Sequence, residues 1–78
     1  MIPFNALTPE EAERLAMLAE EANEIAQACM KILRHGYENY HPATGENNRH
    51  MLMREIGDFI GVRRLMYKAN DIQAPCVS

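Results

Sequence analysis

Apolar side chains recur at Leu15, Leu18, Ala22, Ile25, Cys29 and Ile32, with spacings of 3, 4, 3, 4 and 3. That alternation is a heptad seam along one side of an α-helix. Ahead of it, Thr8-Pro9-Glu10-Glu11 reads as a helix start. Thr8 can cap, Pro9 suits the first helical position and Glu11 completes a capping box. Gly36 fits the residue just past a helix end, and Lys31, Arg34 and His35 place cations where they complement the helix dipole. The pattern predicts a first helix over about 9–35. A second, capped by Asn47 or Asn48, runs over about 49–69 through Leu52, Ile56, Phe59, Ile60 and Met66. Between them, 36–47 holds Pro42 and Gly45 and reads as a loop, longer than a usual helix–helix connection. Either that loop is functional or a short extra helical turn fills Tyr37 to Tyr40. After Asn70 the periodicity stops, leaving a tail over about 70–78.

Two helices so joined predict an all-α fold, a long antiparallel hairpin. The second helix carries Met51, Leu52, Met53, Ile56, Phe59, Ile60, Val62, Leu65 and Met66 on more than one stripe, as a helix packed on several sides does. One hairpin does not supply those sides. The expectation is therefore a single domain over 1–78 that forms a homo-oligomer, a dimer or tetramer, closing a four-helix or larger bundle. Gly57 and Gly61, one turn apart, would allow another helix to approach closely or would be simple packing tolerance.

Composition narrows the class. The 78 residues are 47% hydrophobic and 24% charged, as in an ordinary globular chain. No apolar run approaches the ~20 residues of a membrane span, and Met1 to Leu7 lacks the features of a signal peptide, so the expected location is the cytoplasm. Cys29 and Cys76 are expected to be free thiols in that reducing compartment. With a net charge of -3 and scattered basic residues, the chain has no footprint for duplex DNA or RNA.

The acids are the chemically suggestive feature. The first helix carries Glu20, Glu21 and Glu24, and the second Glu55 and Asp58. Glu21 with Glu24, and Glu55 with Asp58, are three apart and so neighbours on a helix face, at a cost of a few tenths of a kcal/mol in repulsion. At about 100° per residue, Glu21 lies roughly 70° from the seam centre, Glu24 further round the same flank and Glu20 nearly opposite. Glu55 and Asp58 share a stripe with Val62 and Leu65. In an antiparallel pairing the four carboxylates of Glu21, Glu24, Glu55 and Asp58 can converge, an arrangement that needs cations to neutralise it. An all-oxygen set suits Mg²⁺ or Mn²⁺. Spacing alone leaves a solvated acidic face as an equal reading. His35, His41 and His50 have no zinc-site spacing.

The runs Glu20-Glu21-Ala-Asn-Glu24 and Glu55-Ile-Gly-Asp58, an EExxE followed by an ExxD, resemble the signature of the MazG-like all-α nucleoside triphosphate pyrophosphohydrolases. The flanking Leu-Ala-Glu-Glu-Ala-Asn-Glu-Ile-Ala-Gln-Ala and Arg-Glu-Ile-Gly-Asp-Phe extend the likeness, and Lys31-Ile-Leu-Arg-His-Gly-Tyr37 is similar to short, often phage-encoded members. The likeness spans about 15–66. It implies Mg²⁺-dependent hydrolysis of a nucleoside triphosphate to a monophosphate and pyrophosphate. Glu21, Glu24, Glu55 and Asp58 would be the metal ligands, and Glu20 would touch a metal-bound water or face solvent. It leaves room for a dUTPase-like or dCTPase-like member. A non-catalytic, metal-binding helical oligomer acting as an interaction protein is the reading from another class. Family members usually continue with a further helix whose basic or amide side chains hold phosphates. This sequence ends at Ser78, so a neighbouring subunit would supply those contacts or catalysis would be compromised.

Phosphates also call for cations. Lys31 shares a stripe with Glu24 and Ala28, about 10 Å further along the axis, and is a candidate substrate contact or a solvated cation near a helix end. Arg34 and His35 are weaker candidates, His35 being equally a dipole-complementing cap. For the nucleobase, Tyr37 and Tyr40 can stack, and Asn47 or Asn48 can read a base edge. The methionines are expected to be flexible packing residues.

Overall fold

The structure, a computed structural model, describes residues 4–73. The expected thiol of Cys76 and most of the expected tail lie outside them. Among the described residues there are two helices, α1 (Pro9–His35) and α2 (Asn48–Lys68), and no strand. They pack against each other as a hairpin, and neither is long and apolar enough to cross a membrane.

The ends of the helices are fixed by local chemistry. Thr8 Oγ1 accepts from the Glu11 amide at 3.1 Å, and the Thr8 amide donates back to Glu11 Oε1 at 2.8 Å, which satisfies two amides that α1 leaves open. At its other end Gly36 takes φ +85°, a conformation that favours glycine, and donates its amide to the Ile32 carbonyl. In α2 the cap is Asn47, whose side chain accepts from the His50 amide at 2.8 Å. Asn48 is the first helical residue. Its own amide and that of Arg49 donate to the carbonyls of Asn39 and Tyr37, so the loop itself completes the start of α2. The end of α2 is a Schellman motif on Asn70, which takes φ +63°. Asp71 donates to the Met66 carbonyl at 2.9 Å and Asn70 to that of Tyr67 at 3.1 Å.

The connecting segment contains no helical turn at Tyr37 to Tyr40. It folds instead as a small tongue. Tyr40 and Asn47 form an antiparallel bridge, the His41 amide donates to the Glu46 carbonyl at 2.8 Å, and Gly45 closes the turn with φ +74°. The Asn48 side chain, buried at 7% exposure, donates to the Gly36 carbonyl at 3.0 Å and ties the tongue to the end of α1. Pro42 and Gly45 interrupt helical hydrogen bonding on this stretch, and the tongue returns the chain antiparallel without it.

The seam between the helices is rotated from the heptad line. On α1 the residues turned toward α2 are Leu18, Glu21, Ile25, Ala28, Lys31 and Ile32, whereas Leu15, Ala22 and Cys29 are exposed. On α2 the inward residues are Asn48, Leu52, Glu55, Phe59, Val62 and Met66. Leu65, which shares the stripe of Glu55 and Val62 by periodicity, is half exposed. Among the described residues, only Ala28, Val62 and Met66 form a fully buried apolar core. The physical reason is that α1 has a broad apolar arc, and a single partner helix covers one edge of it. At the open ends of the helices, Arg14 makes a bidentate pair with Asp71, its Nη2 lying 3.0 Å from Oδ1, and so links α1 to the segment after α2.

Candidate metal centre and adjoining pocket

Because the seam is rotated, acids enter it. Glu21 and Glu55 are half-buried residues on facing positions of α1 and α2, and Glu24 follows Glu21 by one turn. One carboxylate oxygen from each of the three lies within 4.8 Å of the other two. The oxygen Oε2 of Glu21 and that of Glu55 are each buried without a hydrogen-bond partner. A buried, unpaired carboxylate oxygen is costly. The Glu55 carboxyl is accordingly held above the usual glutamate range. Hydrogen bonding with Glu24 is the largest cause, followed by burial and by the charges of Glu24 and Asp58, while Arg54 pulls the other way. An all-oxygen donor set with unsatisfied buried oxygens fits a hard divalent cation.

The other acids are placed differently. Asp58 is exposed and stands outside the group of three, one turn along α2 from Glu55 and near enough for its charge to act on it. Glu20 is exposed, consistent with its direction away from the seam. Arg54, which periodicity did not single out, reaches both sides of the site: Nη2 lies 3.4 Å from Glu55 and 3.2 Å from Glu46 on the tongue. Its position directly before Glu55 was the available signal.

A cleft of about 200 Å³ opens at the tongue end of the hairpin. It is lined by Lys31, Arg34, His35, Asn39, Tyr40, His41, Pro42, Asn48 and Met51. Of the residues that sequence reading put forward for substrate contact, Lys31, Arg34, His35, Tyr40 and Asn48 are brought together here. Among the described residues, no acidic side chain lines the cleft, and Lys31, Arg34 and His35 make no ion pair. Lys31 Nζ lies 4.0 Å from Met51 Sδ. The cleft is therefore a cationic mouth on a chain of net negative charge. Tyr37 stands apart: its ring lies under the Arg49 guanidinium, 4.5 Å from ring centre to Cζ, and lines a separate apolar depression with Cys29, Ile32, Leu33 and Leu52. Asn47 is committed to capping α2. The lining residues Asn39, His41, Pro42 and Met51 were not put forward for substrate contact from sequence, although the turn chemistry of His41-Pro-Ala-Thr-Gly marked the place.

No protein-family model, no curated protein and no solved structure matches this chain.

Proposed function

We propose that this protein is a divalent-cation-dependent hydrolase of nucleoside triphosphates, of the MazG-like kind, that releases pyrophosphate and leaves the monophosphate. The observation that carries this reading is the convergence of Glu21, Glu24 and Glu55 from two antiparallel helices, with two of their oxygens buried and unpaired. Glu21, Glu24 and Glu55 would hold Mg²⁺ or Mn²⁺, with Asp58 one turn away as a further ligand. The ion would supply charge neutralisation of phosphate oxygens and activation of water. Lys31 and Arg34 bind and orient the phosphate chain from the adjoining cleft. Glu24, exposed beside the buried pair, is the carboxylate best placed to accept a proton from the attacking water.

The same reading takes the working form to be a homo-oligomer, a dimer or tetramer, in which a second copy covers the exposed apolar flank. Supporting it are the three-residue buried core and the exposure of Leu15, Leu33, Ile56 and Ile60. The decisive assay presents a panel of nucleoside triphosphates with Mg²⁺ and measures pyrophosphate apart from orthophosphate. Pyrophosphate is the expected first product. Glu24→Gln and Asp58→Asn are expected to lower the rate by more than about 100-fold, as loss of a metal ligand exceeds loss of its supporting residues. Turnover of none of the nucleotides by an intact oligomer would leave the metal-binding interaction protein as the reading.

A further inference from the structure

Arg54 stands between the carboxylate group and the tongue, and one of its nitrogens serves both. Nη2 donates a hydrogen bond to Glu55 Oε1 at 3.4 Å and lies 3.2 Å from Glu46 Oε1. Glu55 is enclosed and Arg54 is more than half exposed, so of the two it is the arginine that can shift. Glu46 is built into the tongue. Its carbonyl accepts from the His41 amide at 2.8 Å, its amide donates to Thr44 Oγ1 at 3.2 Å, and its neighbour Asn47 forms the bridge with Tyr40. A firmer hold on the Glu46 carboxylate therefore steadies the turn that carries Tyr40 and His41, two residues of the cleft wall.

Charge decides how Arg54 divides between the two carboxylates. It already acts on Glu55, drawing the pKa of that carboxyl down against the effects of Glu24 and of burial. A divalent cation held by Glu21, Glu24 and Glu55 neutralises Glu55 and sets two positive charges against the guanidinium, whereas Glu46 keeps its full attraction. We propose that Arg54 is a positioning residue that links the cation site to the cleft: with the cation bound, it leaves Glu55 for Glu46 and holds the tongue in place. This rests on the divalent-cation reading above and adds to it a route from the metal to the cleft. The link runs both ways, because a cation that favours the Arg54–Glu46 pair is itself favoured by that pair. Arg54 and Glu46 thus pull cation affinity in opposite directions. Arg54 on Glu55 competes with the ion, and Glu46 draws that competitor away.

Mn²⁺ binding, followed through the electron paramagnetic resonance signal of the free ion, tests the link in the wild type, Arg54→Gln, Glu46→Gln and the double variant. Arg54→Gln is expected to bind roughly two- to fivefold more tightly and Glu46→Gln more weakly by a similar factor, the scale of one exposed ion pair. The decisive comparison is the effect of Glu46→Gln in the absence of Arg54, which is expected to shrink toward none. An equal weakening in both backgrounds means that Glu46 acts by its own charge alone and overturns the proposal, as does an Arg54→Gln affinity no tighter than that of the wild type. Amide hydrogen exchange supplies a readout that bare charge would not move. Mg²⁺ is expected to slow exchange at His41 and Gly45 roughly two- to fivefold in the wild type and not in Arg54→Gln. Unslowed wild-type amides at saturating Mg²⁺, or equal slowing in the variant, overturn the link and leave the cation reading standing. A wild-type protein that binds neither ion overturns both.

Discussion

Glu55 sits where three demands meet: its side chain is 12% exposed, it faces Glu24, and one of its oxygens has no partner. Its folded-state pKa is raised above the ordinary value of 4.5, so the folded chain holds this proton more tightly than the unfolded chain does. Folding stability from this group therefore falls as pH rises through the folded pKa, and ceases to change below the ordinary value. Asp71 acts in the opposite sense. Hydrogen bonding from Arg14 lowers its pKa, so its contribution is full above the ordinary value of 3.8 and is lost as pH drops through the folded one. In the presence of a chelator, the urea midpoint is expected to rise as pH is lowered from neutral toward 4.5, then to fall in stronger acid. Glu55→Gln should flatten the first limb and leave the second. Added Mg²⁺ should raise the midpoint of the wild-type protein at neutral pH and not that of Glu55→Gln, through the linkage between binding and stability. A wild-type midpoint that is flat between neutral pH and 4.5 would remove the case for a strained carboxylate group.

At the scale of the elements, α1 and α2 differ in how they are stabilised. The sequence of α1 announces its own limits through the Thr8 and Glu11 capping box and through Gly36. α2 has no acid in its first turn and borrows two loop carbonyls to satisfy its first amides. Its middle contains Gly57 and Gly61, and nothing lies within 4 Å of a Cβ added at either. Inside one hairpin neither glycine is required by space or by backbone conformation, so each simply weakens the helix. Gly57→Ala and Gly61→Ala are expected to add about 0.5–1 kcal/mol each to the stability of an isolated hairpin, measured by urea unfolding at low concentration. If either change instead weakens self-association, the glycine serves a close helix approach between copies. The tongue is the element whose form was least apparent. Its bonds run between the ends of two helices, from Asn48 to Gly36 and from Arg49 to Tyr37, and no local period encodes them.

The whole molecule is a hairpin with two unlike flanks. One carries Glu21, Glu24, Glu55 and Asp58; the other exposes Leu15, Cys29, Leu33, Ile56 and Ile60. A chain of this size buries too little surface to be more than marginal alone. Leu15, Ile56 and Ile60 are each about two-fifths exposed, so covering one of them with a second copy adds about 0.6–1.2 kcal/mol, that share of the ~1.5–3 kcal/mol of full burial. Light scattering on a sizing column is expected to give a mass two or four times 8.9 kDa. Leu15→Glu or Ile56→Glu should shift that mass to the monomer. A wild-type monomer at high concentration would sink the bundle reading.

The helices, their caps and the hairpin were legible from the chain, because capping and periodicity act over three or four residues and need no partner. Spacing likewise put Glu21 with Glu24, and Glu55 with Asp58, on one flank of each helix, but it left a solvated acidic face as an equal reading and did not reveal which acids meet across the helices. Which half of the apolar arc on α1 meets α2 was not legible either. Leu18, Ile25 and Ile32 lie on both possible seams, and only packing against Phe59, Val62 and Met66 selects the line through Glu21 and Ala28 over the line through Leu15, Ala22 and Cys29. That rotation draws Glu21 and Glu55 into the interface, strips two of their oxygens of partners and leaves Asp58 at the edge. The cleft was likewise decided by tertiary contact, because residues of α1, the tongue and α2 meet only after the chain has turned back on itself.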